Sequence, residues 1–520
     1  MYLTPNKILI NYSSEIGRYK LMLNSPIPKY LFLWLGLLSF PIFGQSDSTA
    51  VDFRFTLSEC IDYAIKNNLT VRQSSWDVVQ SEVALKQSKA DLLPSVNAGT
   101  NLSYNVGRTI NEFTNEYIEA PVQQQNMNLV GQVTLFEGLR RLKTIRRNQS
   151  DVLVNELGLE ATKNDITLEV VGAYTQILLS QELLETANFQ QLTTEGQLNR
   201  TRRLVEAGSL PKADALQQEA LLAQNETSVV DAENNLALAQ LRLKQLLQIP
   251  AEQSLTIVDP EVDAPEADRL PASAEGVYEA AAGRLPAIRG ADQQITSAEY
   301  GIAVAQAGYY PSITLAGGLS SLYSDAAPAF IPRSGAATVT ERVPIGFLET
   351  PVPLGDLAAG TQLPVFRETQ ITPPEEIVEN TYFNQLDFNL RRFVQLSLNI
   401  PIFNNWQVRS NVANAKIGLE QAQINALNQR NIVRQNIEQA YLDARAAAKS
   451  FAATRRQVAA LQEAFKNTEV RYQAGAIDAV DYNQARNDLN GAESDLVRTK
   501  YNYVFSLKVL DFYQGKPLDF

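Results

Sequence analysis

Two stretches of this 520-residue chain, about 138–206 and 405–473, contain no proline and only scattered glycines. Proline ends helices, so a run of nearly 70 residues without it reads as one helix, roughly 100 Å long at 1.5 Å per residue. Each run stops at a glycine-bearing turn, Glu206-Ala-Gly208-Ser-Leu-Pro211 and Gln473-Ala-Gly475-Ala-Ile477, where a left-handed residue suits a helix stop. A returning helix follows each turn. Leu222, Val229, Leu236 and Leu243 repeat every seven residues in the first, and Tyr482, Leu489, Leu496, Tyr503 and Leu510 in the second. Such heptads call for coiled-coil packing.

The two runs are copies of one unit. Leu135-Phe136 matches Ile402-Phe403, Tyr174 matches Tyr441, Ala207-Gly208 matches Ala474-Gly475 and Asp214 matches Asp481, all at an offset of 267. Upstream the offset is 217: Leu92-Leu-Pro94-Ser95-Val96 recurs as Tyr309-Tyr-Pro311-Ser312-Ile313, and Ala64, Arg72 and Glu82 recur as Ala281, Arg289 and Glu299. The two offsets differ by 50, which is one insertion between Leu319 and Leu396. The chain therefore divides into a first repeat over 45–250, a Pro-, Asp- and Glu-rich surface linker over 251–273, a second repeat over 274–515 and a tail over 516–520.

Before each long helix stand two alternating segments. In 96–106 the residues Val96, Ala98, Leu102, Tyr104 and Val106 share one face, and Asn97, Asn101, Ser103 and Asn105 the other. That is period-2 alternation with one apolar and one wet face. A soluble sandwich edge would show it, but 11 residues also suit a tilted strand crossing a bilayer. The same pattern is expected over 128–136, where Leu129, Val133 and Leu135 alternate with Gln132 and Thr134, and over 312–321. In 390–403, Val394, Leu396, Leu398, Ile400 and Ile402 oppose Gln395, Ser397 and Asn399. Each repeat opens on helices; the first starts with the capping box Thr56-Leu-Ser-Glu59 and breaks near Asn67-Asn68. That short helix and the returning helices over 211–247 and 478–513 suggest two short helices end to end beside each long one. The insertion, about 322–388, is proline-rich and reads as a long exposed loop between two membrane strands.

Composition narrows the function. There is no histidine, which removes His-based triads, His general bases and most zinc or haem sites. A net charge of −12 argues against nucleic acid and against a polybasic membrane anchor. The single Cys60 cannot form an internal disulfide and reads as a buried small hydrophobe. Lys29 before Tyr30–Phe40, an apolar run of about 11 residues, has the proportions of an export signal ending near Gly44, with Met22 as an alternative start. No other segment reaches 18 consecutive apolar residues, so a membrane segment would be β.

The strand–strand–long-helix order, its duplication and the turn sequence Val470-Arg-Tyr472-Gln-Ala-Gly475-Ala-Ile-Asp-Ala-Val-Asp481 resemble the TolC-like outer-membrane efflux family, over about residues 53–515. The resemblance implies an α+β membrane protein: a homotrimer with a twelve-stranded outer-membrane β-barrel continued by a periplasmic α-helical coiled-coil barrel. It also implies docking on a periplasmic adaptor and an inner-membrane pump, in efflux or type I secretion. Physics asks for an oligomer as well, because four strands cannot close and open sheet edges are not tolerated in lipid; twelve leave a conduit. Asn97, Asn101, Ser103, Asn105, Gln395, Ser397 and Asn399 would then line water. The resemblance puts gating contacts at the helix tips, with Asp214, Tyr472 and Asp481 as gate residues and Gly208, Leu210, Gly475 and Ile477 as adaptor-docking positions. Aspartates ringing a mouth repel anions; aspartates that merely open helices against the dipole are the alternative. The sequence departs from the family's gate pattern at Ile477, where an arginine is usual, and at Gln484, where a second aspartate is. No catalytic, cofactor or metal site is expected. A periplasmic coiled-coil adaptor is the alternative function, and a secreted enzyme a remoter one.

Overall fold

The computed structural model describes residues 53–518 apart from 112–113, 259, 261–269, 272, 334–338, 350–361 and 372–375. The expected export signal over 1–44, with Met22, lies outside the described residues. The first half runs β1 (Phe53–Phe55), α1 (Leu57–Asn67), α2 (Leu69–Ala90), β2 (Ser95–Asn105), β3 (Thr109–Ile110), β4 (Tyr117–Ile118) and β5 (Val122–Glu137). It continues through α3 (Arg140–Glu206), α4 (Lys212–Leu247) and β6 (Leu255–Ile257). The second half begins α5 (Ala274–Ala282), α6 (Pro286–Gln306), β7 (Ser312–Ser324), β8 (Phe330–Arg333), β9 (Val339–Glu349) and β10 (Gln362–Ile371). It ends β11 (Glu376–Glu379), α7 (Tyr382–Phe388), β12 (Arg391–Asn399), α8 (Gln407–Gln473) and α9 (Ala479–Gln514). No helix among the described residues is long and apolar enough to cross a membrane.

Helices α3 and α8 each have 67 residues and α4 and α9 each 36. A 67-residue helix is about 100 Å long, and its shorter companions are held end to end beside it. Thr56 starts α1 with a reciprocal capping box to Glu59, and Asn68 breaks α1 from α2 by accepting from Thr70 N. Asn68 Nδ2 also donates to the Leu246 carbonyl at 3.1 Å, joining the start of α2 to the end of α4. In the second half Arg284, just before α6, donates to the Gln514 carbonyl at the end of α9 at 2.8 Å. Thus α2 and α4 pack along α3, while α6 and α9 pack along both α8 and α3.

The passage from strand to long helix is made by two consecutive left-handed residues in each half: Gly138 and Leu139 at φ 57° and 61°, Asn405 and Trp406 at 51° and 62°. Non-glycine residues rarely hold that conformation, so the turn is imposed by its surroundings. Gly138 also passes close to the second half, since an added Cβ would stand 2.7 Å from the Ala307 carbonyl and 2.8 Å from Tyr310 Cβ.

Four strands form one antiparallel sheet in the order β12-β7-β5-β2, leaving β12 and β2 as edges. The strand bounds differ from expectation at β5, which starts at Val122 rather than 128; Gln123, Gln124 and Gln125 gave no alternation to read. At its other end β12 stops at Asn399 rather than 403, with Pro401 just beyond, where a proline cannot donate to a ladder. A bulge between Thr134 and Phe136 leaves Leu135 unpaired and sets Phe136 opposite Ile313.

The insertion is not a plain loop. β9 and β10 pair over ten positions, β8 pairs with β11, and α7 packs on β7. Gln385 Oε1 accepts from Ser324 N, and Tyr382 donates to Gln125 Oε1. The linker also departs from a surface reading. Leu255 and Ile257 in β6, which pairs in parallel with β1, are buried with Cys60, Val170, Tyr174, Ile177 and Leu243. Tyr174 donates to the Val258 carbonyl. Burial, with Glu59 beside it, pushes the Cys60 thiol up to about 12.

In α4 the expected heptad is fully buried only at its last member, Leu243. Leu222, Val229 and Leu236 are half-buried, while Leu221, Ala239, Leu243 and Leu247 are buried. Along α8 the buried row is rich in small residues, including Ala422, Ala426, Ala440, Ala444 and Ala448. Ile417, Ile424, Leu427 and Leu442 on the same helix remain exposed. These helices carry more apolar surface than one chain covers.

Candidate functional site

The sheet separates the expected lining residues from the apolar ones. Through the registers of its three strand pairs, Val96 stands beside Gly131, Gly317 and Val394, and Ala98 beside Leu129, Leu319 and Arg392. Val133, Leu315 and Leu396 continue this apolar face. Asn97, Asn101, Ser103, Asn105, Gln395, Ser397 and Asn399 all fall on the opposite face, with Asn126, Asn128 and Gln132 between them. Phe136 joins the apolar face at its helix end, and Tyr309, Tyr310, Phe403 and Trp406, just outside the strands, are exposed. Phe383 and Phe388 of α7 are exposed beyond its other end.

At the far ends of the long helices the two turns enclose a cleft of about 630 Å³. Each turn is closed by a glycine, Gly208 at φ 72° and Gly475 at 71°. Ser209 N bonds the Leu204 carbonyl at 2.8 Å, and Ala476 N the Arg471 carbonyl at 2.9 Å, which is the Schellman pattern. Gly475, Leu210 and Ile477 line the cleft, whereas Gly208 does not.

The gate candidates are not all brought together. Asp214 and Tyr472 line the same cleft, one from each half, with Arg200 and Glu469. The Tyr472 hydroxyl titrates above the usual tyrosine range, first because it is buried and then because the Asp214 carboxylate is near. Its ring stacks on Tyr482 at 4.6 Å between centroids, and Tyr482 packs on Phe465. Asp481 lies outside the cleft, exposed in the first turn of α9. Asp214 holds the matching first-turn position in α4. Both thus meet the helix dipole as the alternative reading has it.

Sequence reasoning missed several residues here. Asp478 caps α9, accepting from Val480 N and Asp481 N at 3.0 and 2.9 Å; an aspartate just before the first helical residue was the available signal. Behind the cleft lies a buried polar seam that no motif announces. Gln218 donates to Asn483 at 2.7 Å and Asn225 to Thr194 at 2.8 Å, with Thr201 and Arg486 also buried. Gln218 Oε1 and Asn483 Nδ2 have no hydrogen-bond partner among the described residues. Groups buried without partners cost on the order of 1–3 kcal/mol each, which weakens the packing behind the cleft.

The chain matches the outer membrane efflux protein family over residues 60–247 and 391–516, which is the helical hairpins plus β2, β5 and β12. It belongs to that family. It is 21% identical over 449 residues to the outer membrane efflux protein BepC of Brucella suis, covering 86% of this chain and 83% of BepC. The probable outer membrane lipoprotein SilC of Salmonella typhimurium is 24% identical over 290 residues, a match that spans 58% of SilC and 54% of this chain. The proteases secretion protein PrtF of Dickeya chrysanthemi is 26% identical over 207 residues, covering 38% of this chain and 43% of PrtF. The fold is that of the solved CusC channel, with TM-score 0.66, 18% identity and coverage of 89% of this chain and 92% of CusC. The Campylobacter jejuni CmeC outer membrane channel gives 0.65 and 16%, covering 88% and 85%. As a TolC-like outer membrane efflux protein, the chain resides in the outer membrane of Gram-negative bacteria and serves efflux or secretion. The β8–β11 region lies in the gap of the family match.

Proposed function

We propose that three copies of this efflux protein form a passive exit duct. The observation that carries the reading is the sheet: four antiparallel strands, apolar on one face and amide- and hydroxyl-bearing on the other, with both edges free. Because β12 and β2 run antiparallel, the β12 edge of one copy can pair with the β2 edge of the next, and three copies close twelve strands with no edge left in lipid. The apolar face then meets lipid, and Asn97, Asn101, Ser103, Asn105, Gln395, Ser397 and Asn399 line water. The exposed apolar residues of α8 supply contacts for the neighbouring copies in a helical barrel below. A periplasmic adaptor has no use for such a sheet.

The tips are the periplasmic mouth in this reading, with Asp214 and Tyr472 at the closing contact and Asp481 on the outer turn. The buried polar seam makes that end the easiest to part. Gly208, Leu210, Gly475 and Ile477 present the turns to a periplasmic adaptor, through which an inner-membrane pump delivers cargo. Detergent-extracted protein should run as a heat-modifiable trimer and give stepwise currents in planar bilayers. Asp214→Ala with Asp481→Ala should raise the step conductance or weaken block by divalent cations. Protein that stays monomeric and soluble without detergent refutes the duct, and unchanged conductance and block in the double variant refute the gate.

A further inference from the structure

Resting on the duct reading, the polar face of the sheet also points to a preference among cargoes. Arg391 pairs with Ser320, Ser320 with Asn128, and Asn128 with Gly99. An added Cβ at Gly99 would lie 2.9 Å from the Asn128 side chain, and one at Gly318 3.0 Å from the Phe393 ring. Residues 391 and 393 therefore stand on the face that carries the asparagines. Arg392, one residue on, stands opposite Leu319 on the apolar face.

On that polar face β2 offers only serine, asparagine and glycine, and β7 only small or uncharged residues. Its one carboxylate is Glu137 at the helix end, which is ion-paired to Arg140 and lies 3.9 Å from Arg141. Arg141 is further held by Thr134 at 2.8 Å, and Asp91 lines a cleft at this end of the sheet together with Glu137, Arg140 and Arg141, so this foot of the barrel is balanced. Arg391 is exposed and makes no ion pair among the described residues. The neighbouring copy would bring β2 against β12, and β2 has no acid on that face. An unbalanced cation thus stands in the wall of a chain whose net charge is −12.

We propose that Arg391 forms a ring of three cations inside the barrel, which favours anionic over cationic solutes at the outer section of the duct. A twelve-stranded wall at strand spacing of about 4.8 Å and tilt of about 40° has a radius of about 12 Å. Guanidinium groups reaching inward from it lie within about a Debye length, about 10 Å at 0.1 M salt, of any solute in the cross-section. At 1 M that length is about 3 Å, so the preference fades.

The test uses the full-length protein in planar bilayers, reading reversal potential across a potassium chloride gradient. Arg391→Glu should raise the potassium-to-chloride permeability ratio about two- to threefold near 0.1 M salt, and the change should disappear near 1 M. Arg391→Lys should leave the ratio as it was. Arg391→Cys should react with an anionic, membrane-impermeant thiosulfonate and change the step conductance; Cys60, fully buried, leaves the background silent. An unchanged ratio in Arg391→Glu channels of normal step size overturns the ring, as does an unreactive Arg391→Cys in open channels. Failure of every form, wild type included, to conduct sinks the duct reading itself.

Discussion

Replacing Gly138 by alanine tests the junction that hangs the long helices from the sheet. The residue sits at φ 57°, and its Cβ would meet the Ala307 carbonyl at 2.7 Å and Tyr310 Cβ and Cδ2 at 2.8 and 3.0 Å. Holding alanine in the left-handed region costs about 1–2 kcal/mol. The clash adds about 1–3 kcal/mol, because the nearest atoms are backbone and Cβ rather than a flexible end. A loss of about 2–5 kcal/mol should lower the apparent Tm of detergent-solubilised protein by about 2–5 °C, followed by circular dichroism at the helix band. Gly158→Ala, inside α3 with nothing within 4 Å of its Cβ, is the control and should be neutral or stabilising by up to about 1 kcal/mol. Asn405→Gly, at the equivalent left-handed position in the second half, should also be neutral to slightly stabilising. If Gly138→Ala melts with Gly158→Ala, the junction is not under the constraint argued here.

Two further outcomes follow from the same structure. Burial raises both Tyr472 and Tyr482, so the closed tip keeps them neutral above the ordinary tyrosine value of about 10 while a parted tip ionises there. The parted form binds fewer protons, so tip stability is full below about pH 10 and lost as pH climbs through the raised values; protease cleavage at 206–212 and 473–478 should begin in that window. Tyr472→Phe with Tyr482→Phe should abolish the step, and its persistence would assign it elsewhere. Deleting 339–371 should leave the heat-modifiable trimer and its conductance intact, because β9 and β10 pair with each other and not with the four-stranded sheet. Loss of the trimer would make the hairpin part of the assembly.

Much of this architecture was legible because its signals are local and repeated. The helix stops at Gly208 and Gly475, the capping box at Thr56 and the alternation around Val96 and Leu396 each depend on neighbours a few residues away. Duplication supplied a second reading of most of them. The paired strands of the insertion were hidden because prolines such as Pro344 and Pro364 read as breakers; in the structure they lie in a two-stranded sheet whose strands are both edges. The α4 heptad found Leu243 but not the buried Leu221, Ala239 and Leu247, because periodicity marks every apolar stripe without telling which one the same chain covers.

Sequence alone determined the long helices, their turns, the two-faced strands and the absence of histidine chemistry, since each is fixed by residue type and period. Only the tertiary structure decided which distant residues meet. Pairing of β5 with β7 sets Asn128 beside Ser320 and so puts Arg391 on the asparagine face. Packing of the second half on α3 brings Asp214 to Tyr472 and leaves Asp481 outside. A one-residue slip in either register would send Arg391 to the apolar face. That choice is made by the summed packing of four strands and a bulge at Leu135, which no window of sequence contains.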